Sequence, residues 1–285
     1  MSTLRERGRA DGLPEWDRCA VMGVVNVTPD SFSDGGRWFN TTAAVKRGLD
    51  LVTEGADLVD VGGESTRPGA SRVDEDEELR RVLPVVRGLS AEGVTVSVDT
   101  MRATVAEQAV AAGAVLVNDV SGGLADPRMV PAVAAAGVPF VVMHWRGFSQ
   151  DMNSRAVYAD VVTEVVAELR ERMDAVIAGG IPPERLVIDP GLGFAKQAEH
   201  DLALVAHLRE LRALGRPVLV AASRKRFLGR VLAREGAPPP ARERDAATAA
   251  VSAIAAHEGA WAVRVHEVRA TADAVRVARA VEAAR

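Results

Sequence analysis

Cysteine is nearly absent. Cys19 is the only one in 285 residues, so no intrachain disulfide can form, and a reducing compartment suits the chain. Cys19 itself reads as a small apolar filler. Positive charge is not in excess. The formal net charge is −4, so no bulk field draws nucleic acid or an anionic membrane, and an anionic substrate has to be gripped by local Lys and Arg. No apolar run approaches the roughly 18 uncharged residues that span a bilayer. The first residues, MSTLRERGRADGLPEWDR, are charged and lack the apolar segment of a signal peptide. These absences predict a cytoplasmic protein with no nucleic-acid and no membrane partner. The five histidines are scattered, and no Cys/His spacing matches a transition-metal site. GxxxxGK[ST] is missing, which excludes a P-loop NTPase, and no GxGxxG follows the first apolar run.

What the chain does have is alternation. Eight short runs rich in Val, Ile, Leu and Ala punctuate it: AVMGVV ending at Asn26, DLVDVG around Val59, VTVSV before Asp99, VLV before Asn118, VPFVVM before His144, RLVI before Asp189, PVLVAA before Ser223 and WAVRV before His266. Continuous apolar runs of this length suit strands buried on both faces. Amphipathic stretches of helical period lie between them, and several stop at a glycine: Gly55, Gly93, Gly113, Gly137, Gly215 and Gly259. The count of eight and the missing dinucleotide fingerprint favour a closed α/β barrel, the (β/α)₈ TIM barrel, over a doubly wound open sheet. No linker divides the chain. The expectation is one barrel domain over 19–285 with a flexible N-terminal extension over 1–18. Segment 234–244, REGAPPPARER, reads as a surface loop before a late helix.

Active sites of such barrels form at the C-terminal ends of the strands. Nearly every run here ends in a polar residue: Asn26, Glu64, Asp99, Asn118 with Asp119, His144, Asp189, Lys225, and Arg264 with His266. Any one of them could simply cap the next helix. Polar endings on almost all strands point to one functional mouth. The loops NVTPDSFSDGG and GGESTRPGA exceed the usual βα length of about 2–6 residues and suit a ligand wrap. Arg224, Lys225, Arg264 and His266 offer donors for a phosphate or diphosphate. Asp99, Asn118 and Asp189 offer acceptors for a heterocycle bearing N–H and NH₂ groups. A paired-carboxylate glycosidase would not need the cations. A hard cation on Asn26 and phosphate oxygens fits better than a transition metal.

The segments VMGVVNVTPDSFSDGG, DLVDVGGESTRPGA, VSVDT, VNDVSGG, VIDPGLGFAK, ASRKRFLG and AVRVHEV, in this order between about Met22 and Val268, resemble the signature blocks of the dihydropteroate synthase family. The resemblance implies a transferase of folate biosynthesis. It would join a dihydropterin methyl diphosphate to para-aminobenzoate, release pyrophosphate, and work with Mg²⁺ as a homodimer. It implies that Asn26 would coordinate Mg²⁺, with Asp34 and Thr66 at the diphosphate end. Asp99, Asn118, Asp189 and Lys225 would hold the pterin, with Met143 packed beneath it. Arg264 and His266 would bind the diphosphate. Phe32, Arg67 and Pro68 would shape the para-aminobenzoate pocket, lined by Gly193 and Phe194. Arg226 stands where some relatives carry Ser, a change at the pocket rim. A pterin-dependent methyltransferase barrel and a non-catalytic pterin-binding paralogue are the alternatives. The ESTRPG loop, SRK and the final RVH favour the synthase.

Overall fold

The computed structural model describes residues 8–28, 41–64, 72–148 and 152–284. Its strands are β1 (Ala20–Asn26), β2 (Leu58–Gly62), β3 (Val96–Asp99), β4 (Leu116–Asp119), β5 (Phe140–Met143), β6 (Leu186–Asp189), β7 (Leu219–Val220) and β8 (Ala262–Val265). The helices are α1 (Thr41–Glu54), α2 (Glu75–Ala91), α3 (Ala103–Ala111), α4 (Met129–Ala136), α5 (Val161–Ala178), α6 (Ala198–Ala206), α7 (Leu208–Arg212), α8 (Arg226–Val231), α9 (Asp245–His257) and α10 (Arg269–Ala283). All eight strands are parallel, in the order β6-β5-β4-β3-β2-β1-β8-β7. A bridge between Ile188 and Val218 joins the two ends, so the sheet closes into the (β/α)₈ barrel. Each of the eight apolar runs supplies one strand.

Local chemistry sets the boundaries. Asp74 caps α2 by accepting from the Glu77 amide, and Glu75–Glu78 place four carboxylates in its first turn, where the helix dipole favours them. Asp160 caps α5 in the same way through the Thr163 amide. All six glycines expected to stop helices take positive φ.

The two-residue period of the strands divides the interior into two cores. Val59, Val61, Val96, Val98, Val117, Val142, Ile188 and Val263 face outward and pack with the helices in the larger one. Ala20, Met22, Leu58, Leu116, Val141, Val187, Leu219 and Ala262 fill the barrel's lower interior. Above this plug the same inward parity continues into polar side chains.

Of the extension expected to be flexible over 1–18, residues 8–18 cover the bottom of the barrel, and 1–7 lie outside the described residues. Ala10 is buried, and Leu13 and Trp16 pack against the inner plug. The Trp16 and Trp261 rings lie 5.8 Å apart. Arg18 forms a two-pronged ion pair with Asp57 at 2.6 and 2.9 Å. A closed barrel exposes the apolar end of its plug, and this segment removes that surface from water.

Candidate active site

The floor of the mouth is an ion-paired cluster. Parity turns Asp60, Asp99, Asn118 and Arg264 inward. The Arg264 guanidinium donates to Asp60 at 2.6 Å and to Asp99 at 2.7 Å. Asn118 donates through Nδ2 to the same Asp60 oxygen at 2.9 Å, which leaves its Oδ1 as the acceptor for a ligand. Burial pushes the Asp99 carboxyl up to about 7, and Arg264 opposes that rise.

The second wall comes from β6 and β7. Asp189 is buried, and its Oδ1 accepts from the Gly191 amide at 2.7 Å. Burial raises its pKa, while Lys225 works in the other direction. The loop between β6 and α6 turns back sharply on β5. A Cβ on Gly191 would meet the His144 carbonyl oxygen at 2.3 Å, so only glycine fits there. Gly193 takes φ 74°, and a Cβ added there would lie 3.1 Å from Lys225 Cδ. The Lys225 ammonium lies 4.9 Å from the centre of the Phe194 ring, a cation–π distance, and donates to the Leu192 carbonyl. Burial pulls Lys225 down to about 8, against the pull of Asp189. Arg244 holds Lys225 from behind by donating to the carbonyls of Arg224 and Lys225. Between the ends of β7 and β8, the Ser223 hydroxyl lies 2.9 Å from His266 Nδ1 and accepts from the His266 amide at 3.2 Å, which fixes the imidazole.

A buried carboxylate with free acceptor capacity thus stands beside an ammonium and a guanidinium, with an imidazole just past the end of β8, over a floor that presents an amide oxygen. The pairing suits a ligand with an N–H edge at one end and anionic oxygens at the other.

The family model for pterin-binding enzymes matches residues 22–266. The chain belongs to this family. Within it, the dihydropteroate synthase of Mycobacterium leprae is 57% identical over 259 residues, covering 90% of this chain and 91% of that protein. Among solved structures, Xanthomonas albilineans dihydropteroate synthase with 4-aminobenzoic acid has 49% identity and a TM-score of 0.87, with 94% of each chain covered. The Yersinia pestis dihydropteroate synthase in a sulfonamide drug complex has 39% identity and a TM-score of 0.89, covering 96% of this chain and 98% of that one.

As a member of the dihydropteroate synthase group, the chain brings Asp99, Asn118, Met143, Asp189, Gly193, Phe194, Lys225, Arg264 and His266 to the same end of the barrel, at or just beyond the strand ends. Asn26 ends β1, paired in register with Gly62. Phe32, Asp34, Thr66, Arg67 and Pro68 lie outside the described residues. Four polar endings turn elsewhere. Asp119 has outward parity and caps its own loop by accepting from the Ser121 and Gly123 amides. Glu64 pairs with Arg72 and Arg102 at the base of the second loop. Arg224 pairs in two-pronged fashion with Asp245 of α9. His144 lies between Glu168 and Lys196.

Three residues of the site escape the sequence reading. Asp60 organises Arg264 and Asn118; its signal was a charge inside an apolar run, DLVDVG, at the parity of the strand's inner face. Ser223 was visible only as a strand end. Nothing in the sequence joins Lys196 to His144, which lies 52 residues away.

Proposed function

We propose that this chain condenses a (7,8-dihydropterin-6-yl)methyl diphosphate with para-aminobenzoate to give 7,8-dihydropteroate and pyrophosphate, a step of folate biosynthesis. The observation that carries it is the placement of Asp189 beside Lys225 and Arg264 in one barrel mouth, in a chain so closely similar to dihydropteroate synthases. Asp189 accepts from the pterin N3–H and 2-amino group, and the Asn118 Oδ1 and Asp99 take further ring donors. Lys225 donates to the ring from the other wall. A buried carboxylate left without its donors is costly, so analogues lacking them are rejected.

The reaction breaks a C–O bond to diphosphate. The dihydropterin ring delocalises the developing methylene cation, so no covalent nucleophile is needed. The protein has to stabilise a departing anion, and Arg264 and His266 supply fixed donors for it. Among the described residues no group of three His, Cys, Asp or Glu forms a cage for a metal ion. Mg²⁺ keeps water ligands and takes one or two protein oxygens beside substrate phosphates, and the Asn26 side chain at the end of β1 fits that pattern. Held there, Mg²⁺ would supply charge neutralisation for the diphosphate. The neutral amine of para-aminobenzoate then attacks the methylene carbon in a dissociative substitution, and the proton it sheds passes to water or to the released pyrophosphate, so no strong general base is needed. Phe194 forms one side of its pocket.

No helix among the described residues is long and apolar enough to cross a membrane. With the lone buried thiol, this supports a cytoplasmic setting. The exposed apolar residues Ile254 on α9 and Val277 and Val281 on α10 support a homodimer through the last helices. The deciding experiment mixes enzyme, Mg²⁺, the dihydropterin diphosphate and para-aminobenzoate. Pyrophosphate release that requires both organic substrates is expected. A folded enzyme that releases no pyrophosphate from this mixture would overturn the synthase reading and return the methyltransferase one.

A further inference from the structure

Behind the loop that joins β6 to α6 runs a buried polar chain that occupies no substrate position. Lys196 is 4% exposed, and its ammonium donates to His144 Nδ1 at 2.9 Å, to the Gly191 carbonyl at 3.0 Å and to the Phe194 carbonyl at 3.0 Å. An ammonium has three N–H donors, and here each has one acceptor. Because the ammonium can only donate, His144 Nδ1 accepts, and the ring proton sits on Nε2, which donates to Glu168 at 2.9 Å. Arg146 closes the chain by donating to Glu168 from the outer side, and it stacks 3.9 Å over the Tyr158 ring. Tyr158 in turn donates to the Ala195 carbonyl at 3.0 Å.

The loop needs such anchoring. Gly191, Gly193 and Ala195 all take positive φ, at 68°, 74° and 48°. Ala195 carries a Cβ that resists this region, so the conformation persists only because outside contacts impose it. The two ends of the loop differ in what holds them. Asp189 belongs to β6, and the sheet fixes it in register with Met143. Phe194 lies beyond the sheet; its own amide bonds only to the Gly191 carbonyl within the same turn, and its carbonyl is tied to Lys196.

We propose that Lys196 is a positioning residue for the amine substrate: by clamping the Gly191 and Phe194 carbonyls to His144 at the end of β5, it holds the Phe194 ring against Lys225 and so sets the shape of the para-aminobenzoate pocket. The inference rests on the reaction proposed above. It separates the two substrates: when the clamp is lost, the pterin carboxylate Asp189 keeps its strand position, whereas Phe194 loses the tie on its own carbonyl and is held only through its neighbours, by Asp201 at the Gly193 amide and Tyr158 at the Ala195 carbonyl.

The test is steady-state pyrophosphate release by the full chain as wild type, Lys196→Met, Phe194→Ala and the double variant. Lys196→Met is expected to raise KM for para-aminobenzoate by about ten- to a hundredfold, with KM for the dihydropterin diphosphate held within about twofold. The double variant is expected to be no worse than the poorer single one, since both changes act on one ring. Equal losses for both substrates, independent multiplicative losses in the double variant, or no loss would each overturn the proposal. Should circular dichroism show that Lys196→Met does not fold, Glu168→Ala takes its place. It removes the acceptor of His144 Nε2 from a part-exposed position, and an unchanged para-aminobenzoate KM would overturn the proposal equally. A folded wild type that releases no pyrophosphate would instead sink the functional reading, and the clamp's role with it.

Discussion

Arg264 on β8 reaches past β1 to donate to Asp60 on β2, at 2.6 Å. Asp60 is fully buried, and the same oxygen takes the Asn118 amide. One carboxylate therefore orients two groups of the site without facing the ligand. Asp60→Asn should lower kcat/KM for the dihydropterin diphosphate by about tenfold or more, through misplacement of Arg264 and Asn118. The stability cost should stay below the roughly 3–5 kcal/mol of a broken buried pair, because Asp99 still holds Arg264. Kinetics and thermal melts on the same sample check both. Wild-type kinetics would remove Asp60 from its assigned role.

Lys225 makes the reaction sensitive to alkali. Burial sets its pKa to about 8 in the empty site. A lysine is charged below its pKa, so kcat/KM for the diphosphate substrate should fall as pH rises through about 8. Lys225→Arg keeps its charge above that range, and the basic limb should move out of it whatever the variant's absolute rate. A limb that stays in place belongs to another group.

Asp189→Asn should cripple pterin binding and leave the barrel folded. An amide offers one acceptor where two donors arrive, and its NH₂ meets the donor edge head on. The Gly191 amide can still bond to the remaining carbonyl oxygen, so the loop keeps that anchor. Calorimetry for pterin affinity and circular dichroism for folding separate the two effects. Full affinity in the variant would move the pterin elsewhere.

Para-aminobenzoate should bind well only once the diphosphate site is filled. Para-aminobenzoate is a small acid with few atoms to hold it, and Phe32, Arg67 and Pro68, expected in its pocket, lie outside the described residues. A diphosphate with Mg²⁺ makes strong charge-assisted contacts, so the second ligand meets a prepared pocket. Titration with and without pyrophosphate and Mg²⁺ decides it; equal affinity in both would refute the coupling.

Removing residues 1–18 should weaken the barrel without touching its chemistry. The cut exposes Trp261 and the plug beneath it and deletes the Arg18–Asp57 pair. A loss of about 2–4 kcal/mol, equivalent to a drop of several degrees in Tm, is expected from burial of this size. Turnover at low temperature should persist, because the site lies at the other end. An unchanged melt would show that the cover contributes nothing.

The barrel was legible because its strands are buried on both faces, and eight apolar runs with glycine stops leave few other folds. The site was legible only in part. Asn118 and Asp119 look alike in sequence, yet strand parity sends the first into the mouth and the second into the helix layer. Arg224 and Lys225 likewise adjoin, and only Lys225 reaches the mouth, since Asp245 claims its neighbour. Such partners come from elements far along the chain, and no local pattern announces them. Asp60 was hidden for the opposite reason: a charge within an apolar run gives a strong signal but no direction until the register is known.

The cover beneath the barrel also decides where attachments can go. Gly8 lies against Pro217, just before β7, and Arg279 near the end of α10 donates to the Asp17 carbonyl. Both described ends of the chain therefore emerge on the side away from the mouth. A tether, an affinity handle or a fused neighbour joined to either end would hang from the base, and an immobilised enzyme would present its open face to the solution.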